Sequence, residues 1–90
     1  MEDNVNKRNR PLLGAQIRAA RALLRWSAED LARSAALGAN TVRRAEVAEG
    51  LTALTTANDR AIRSALESAG IKFIDENGGG AGVRLRKSSR

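Results

Sequence analysis

"SAEDLARSAALGANTVRRAE", Ser27 to Glu46, decides how this chain is read. Ser27 precedes a run that alternates polar and apolar residues at helical spacing. Its hydroxyl can accept from the Asp30 N–H while the Asp30 carboxylate reaches back, which is the reciprocal capping arrangement that starts a helix. The spacing predicts a helix over 28–36 that buries Leu31, Ala32 and Ala35. The run then breaks around Leu37-Gly38, and a second short helix is expected over 39–47. Gly38 tolerates backbone dihedrals that other residues avoid, so it is expected to let the two helices cross. Val42 and Ala45 would point inward, leaving Ala39, Asn40 and Arg43 or Arg44 outward. An exposed helix start carrying a small side chain, an amide and a guanidinium suits the DNA major groove. Asn and Arg match the edges of adenine and guanine, and free N–H groups at the helix start attract phosphate.

Working outward, residues 12–25 place Leu13, Ile17, Ala20, Leu23 and Leu24 at three- and four-residue steps, the signature of one helical face. A polar, Thr-rich loop covers 49–55, and Thr56 with Asp59 repeats the capping spacing. A further helix over 57–69 presents Ala61, Ile62, Ala65, Leu66 and Ala69, and Gly70 stands where a left-handed C-terminal cap is wanted. The pattern then changes to two short strands, near 71–75 and 82–86, with a flexible Gly-rich connection. A disordered basic tail is the bland alternative. Ile71, Phe73, Val83 and Leu85 form a small apolar face. Because a lone hairpin is marginal in water, these residues are expected to build a two-fold dimer interface. Residues 1–10 read as a polar, mobile arm with Lys7, Arg8 and Arg10. The expected fold is therefore mainly α: a four-helix DNA-binding domain over 11–70, with a short C-terminal β-hairpin or dimerisation strands and basic tail over 71–90.

Composition narrows the chemistry. The chain has 90 residues, enough for one core, with no cysteine and no histidine. That removes disulfides, thiolate and imidazole metal sites, and Cys or His nucleophiles. No carboxylates are placed for acid–base work, so no enzyme, catalytic residue, cofactor or metal is expected. The net charge of +6 favours a polyanionic partner. No apolar run approaches a membrane span, and the charges at the N-terminus lack a following apolar stretch, so a cytoplasmic location is expected. The glycines at 78–80 are not followed by a helix and do not form a phosphate loop.

The stretch "LARSAALGANTVRRAE" resembles the helix-turn-helix of XRE-family regulators, the group that includes the phage lambda and Cro-type repressors. Leu31-Ala32, Ala36, Leu37, Gly38, Thr41-Val42, Arg44 and Glu46 occupy the places of that pattern. Upstream, "GAQIRAARALLRWSAEDLA" is similar to the family's first helix, so the likeness covers about residues 13 to 50. Ala28 stands where the family often has Gln, Ala36 where it usually has Gly, and strands follow where many relatives have a fifth helix. The resemblance implies a lambda-repressor-like domain with Ala39, Asn40 and Arg44 at base edges and Ser27, Arg33, Thr41 and Arg43 at phosphates. It also implies a structural ion pair between Arg21 and Glu46. The partners implied are double-stranded DNA and a second copy of the chain on a palindromic operator, with no small-molecule ligand. Regulation would come from promoter occupancy. The rival reading is a protein-interaction module, antitoxin- or antiactivator-like, with secondary DNA binding. A non-specific architectural or RNA-binding role is a further alternative, disfavoured by the lack of aromatics for base stacking.

Overall fold

The computed structural model describes residues 11–48 and 54–87. The expected arm at 1–10, most of the loop at 49–53 and the tail end at 88–90 lie outside the described residues. Four helices are followed by a two-stranded sheet: α1 (Gly14–Leu24), α2 (Ala28–Ala35), α3 (Ala39–Glu46), α4 (Thr56–Ser68), β1 (Ile71–Ile74) and β2 (Gly82–Leu85).

Each junction has a local cause. At the start of α1 the Gln16 side chain turns back, and its Oε1 accepts from the Leu13 N–H at 3.0 Å. The helix ends where Arg25 enters the left-handed region, φ 58°, and Trp26 N–H returns to Arg21 O. Ser27 then caps α2: Asp30 N–H donates to its hydroxyl and Ser27 N–H donates to the Asp30 carboxylate, both at 2.9 Å. At the end of α2 the left-handed residue is Ala36, φ 60°, with Leu37 N–H returning to Ala32 O at 2.8 Å.

The hinge therefore differs from expectation. Gly38 has ordinary extended dihedrals, φ −77° and ψ 147°, and is the N-cap of α3. The turn's strained position is Ala36, where an L side chain crowds its own carbonyl. Ala36→Gly is expected to raise stability by about 1 kcal/mol, read as a higher urea midpoint at unchanged m-value. No gain in midpoint would show that the turn is relaxed as it stands.

The cap of α4 is shifted by one residue from expectation. Thr55, not Thr56, caps it by accepting from Asn58 N–H at 3.1 Å. Asp59 is thereby released from capping. It is buried, and its carboxylate accepts the Leu12 N–H at 2.9 Å, joining the entry of α1 to α4. Gly70, φ 113°, closes α4 as expected.

Leu12, Ile17, Leu31, Val42, Ile62, Leu66 and Ile71 are the large side chains wholly inside, with alanines filling between them. Leu24 and Trp26 pack against this core, whereas Leu23, placed on the same α1 face by its spacing, is 43% exposed. The strands pair antiparallel as a hairpin, with Ile71 opposite Leu85 and Phe73 opposite Val83. The hairpin belongs to the helical core instead of forming a separate unit. Gln16 Nε2 donates to Ile74 O at 3.4 Å and Gly82 O at 3.1 Å, and the Arg63 guanidinium lies 4.9 Å from the Phe73 ring centre. The connection expected to be flexible is organised by Glu76, whose carboxylate accepts from Gly78 and Gly80 N–H groups at 3.0 and 3.2 Å.

Of the four residues expected at a dimer interface, Ile71 is 1% exposed and Phe73 and Val83 are half-buried against the chain's own core. Leu85 alone of the four is exposed, at 45%.

Candidate nucleic-acid interface

The α2–α3 pair is held against α1 where α3 ends, and the outer face of α3 is open. At the held end, Gly14 lets the start of α1 meet the end of α3 backbone to backbone. A Cβ at Gly14 would sit 2.7 Å from Ala45 O and Ala48 O and 2.9 Å from Glu46 O. The Arg21 guanidinium lies bidentate on Glu46, with Nε at 2.5 Å and Nη2 at 2.8 Å, and its Nη1 donates to Trp26 O at 2.8 Å. Glu46 is buried and Arg21 half-buried. The hydrogen bonds that Arg21 donates to the Glu46 carboxylate raise its pKa above the ordinary value, against the opposing effect of burial. Arg18, which reads as a solvated charge, donates to the Glu46 backbone carbonyl. Two arginines thus meet the negative end of the α3 dipole and fix where the helix points.

On the outer face of α3, Asn40 in the first turn and Arg43 and Arg44 in the last are exposed, and Ala39 and Thr41 are half-buried. Ala39 packs partly against the core. Arg44 has no hydrogen-bond or ion-pair partner among the described residues. Together with Thr41 it lines an open groove whose other wall is Leu54, Thr55 and Asn58. Asn58 beside Arg44 escaped the sequence reading. Its only signal is its position in the first turn of α4, which becomes meaningful once that turn is seen to line the groove beside α3.

The residues expected at phosphates are arranged less simply. Arg43 donates to Asn40 Oδ1 at 3.3 Å and to the Glu29 carboxylate, so it spans α2 and α3. Arg33 pairs with Asp30 at 2.6 Å. The backbone N–H at Glu29 and the neighbouring Arg43 hold the Glu29 carboxyl below the usual range. Ser27 does the same for Asp30 through its backbone N–H and hydroxyl, helped by Arg33. Arg33, Arg43 and Arg44 against Glu29 and Asp30 leave this face with a net charge of only 3 − 2 = +1. Exposed pairs of this kind are weak and exchangeable, so a phosphate can displace either carboxylate.

Among the described residues no group of three acidic, Cys or His side chains gathers to hold a metal, and no helix is long and apolar enough to cross a membrane. No family model matches the chain, and no curated protein matches it.

Proposed function

We propose that this protein is a sequence-specific, double-stranded-DNA-binding transcriptional regulator of the XRE, lambda-repressor-like type. It reads the major groove with the outer face of α3 and acts by occupying a promoter. The observation that carries this reading is the contrast between the two sides of α3. Its end is immobilised through Gly14, Arg18, Arg21 and the buried Glu46, with Val42 and Ala45 turned inward, while Asn40 and Arg44 stand exposed on the outer face. A reading helix must keep its angle to the body fixed while its base-contacting groups stay free, and this arrangement meets both needs.

In this reading Arg44 pairs with a guanine edge and Asn40 with an adenine edge, with Ala39 small enough for close approach. Gly38 has no side chain to cap α3, so its first N–H groups are open to a phosphate. Thr41, Ser27, Arg33 and Arg43 supply further phosphate contacts, the two arginines after leaving Asp30 and Glu29. The regulator acts as a homodimer on a rough palindrome, its half-sites about one helical turn apart. With Ile71 buried in the core, the dimer contact would fall on the exposed Leu85 and the accessible parts of Phe73 and Val83. Sedimentation of the intact chain at micromolar concentration should give twice the monomer mass.

The deciding experiment is selection of binding sites from a randomised duplex library, followed by substitution. Arg44→Ala is expected to lose about 1–3 kcal/mol of discrimination between the selected site and random duplex. Arg43→Ala should weaken both by the same factor. A specific-to-random ratio that survives Arg44→Ala overturns the assignment of α3 as the reading element.

A further inference from the structure

We propose that the solvent face of the β-hairpin, built on Lys72 and Arg84, is a second phosphate-binding surface for duplex DNA. This rests on the proposed DNA-binding role and adds a second source for the chain's sequence-independent attraction. The observation is a pairing that ordinary sheets avoid. Lys72 and Arg84 are direct cross-strand partners, and both are exposed. Arg86 N–H donates to Gly70 O at 2.7 Å, which sets the ladder phase and makes Lys72–Arg84 a hydrogen-bonded pair on one face. In such a pair the Cα atoms are about 5.5 Å apart, and like charges placed there oppose folding. No carboxylate lies within ion-pair distance of either side chain among the described residues.

Arg86 follows Arg84 on the same face by strand alternation. One of its guanidinium nitrogens is anchored on Glu67 O at 3.2 Å. The frame beneath is firm: Gln16 bonds one end of the ladder, Gly70 the other, and Glu76 ties the connection. The repulsion is therefore held in place instead of relaxing by local fraying. A polyanion removes it, and the α2–α3 face, close to neutral overall, leaves most of the attraction to be supplied elsewhere. Duplex DNA is the partner chosen because the phosphate lattice is the one anion the rest of the molecule is arranged to meet.

The test is Lys72→Gln/Arg84→Gln, titrated against random-sequence duplex over a range of salt. The log–log salt slope should shrink by about two and the affinity at low salt fall about tenfold. The specific-to-random ratio should stay as in the parent, and the melting temperature without DNA should be unchanged or higher, since the opposed charges are gone. Arg84→Lys should retain the parent slope. A parent-like slope in the double variant overturns the proposal. So does loss of binding to phosphatidylserine vesicles with duplex binding intact. If the unaltered chain binds no duplex at any salt, the regulator reading itself fails. Binding with an unmoved slope removes the hairpin surface only.

Discussion

Gly14→Ala is expected to destabilise the folded chain by about 3 kcal/mol, the upper end of what overpacking a close contact costs. The added methyl would meet three backbone carbonyl oxygens at 2.7, 2.7 and 2.9 Å, and none belongs to a side chain that can swing aside. To make room, α1 must move off the end of α3, which also stretches the bonds from Arg18 and Arg21. For a domain of this size, 3 kcal/mol lowers the melting temperature by roughly 12–24 °C. Gly38→Ala is the control. Nothing lies within 4 Å of its Cβ position and its φ is −77°, so the change should cost only the N-cap preference for Gly over Ala, about 0.5–1 kcal/mol. Thermal unfolding of both variants, followed by circular dichroism, checks the pair. A Gly14→Ala protein that melts with the parent would show that the α1–α3 contact is looser than its distances say.

Glu46→Ala is expected to cost about 3–5 kcal/mol, with the lower end favoured because Arg21 keeps some contact with water. The carboxylate side chain is 7% exposed and the guanidinium 23%. Removing Glu46 strands a cation against the end of α3 and leaves the Trp26 carbonyl as its hydrogen-bond acceptor among the described residues. The reference is solvation: a paired buried charge has its desolvation offset, and an unpaired one does not. Replacing both partners together, Arg21→Met with Glu46→Leu, should therefore recover most of the loss. The measurement is the urea midpoint in the absence of DNA, so that loss of a DNA contact cannot imitate the effect. An unchanged midpoint for Glu46→Ala would sink the ion pair as a structural element. In the proposed function the same substitution also tilts α3, and binding should fall for every duplex.

What could be read in advance follows the range of the interaction. Ser27 and Asp30 cap each other across three residues, and the expected cap is present in the fold. The boundaries of α2 and α3 agree with the expected ones to within a residue for the same reason: their signals are local. Where two neighbours compete for one local role, spacing misleads. Thr55 and Thr56 can each cap α4. Thr55 does so because Asp59, the partner Thr56 would have used, is drawn inward by the Leu12 N–H from the start of α1. Gly38 looked like the hinge because glycine alone is free of the left-handed penalty. The fold puts that geometry on Ala36, where the return bond from Leu37 to Ala32 holds it.

By itself, the order of residues determined the helical periods, the Ser27–Asp30 cap, the two strand segments and the outward placing of Asn40, Arg43 and Arg44 on the third helix. Each of these is decided by groups within four or five positions of one another. Only the tertiary structure decided that Gly14 must lack a side chain, that Arg18 reaches the Glu46 carbonyl, and that Ile71 belongs to the core. The same holds for Lys72 and Arg84 facing each other across the hairpin. Those outcomes depend on distances between segments far apart in the chain, and such distances exist only after the helices have packed.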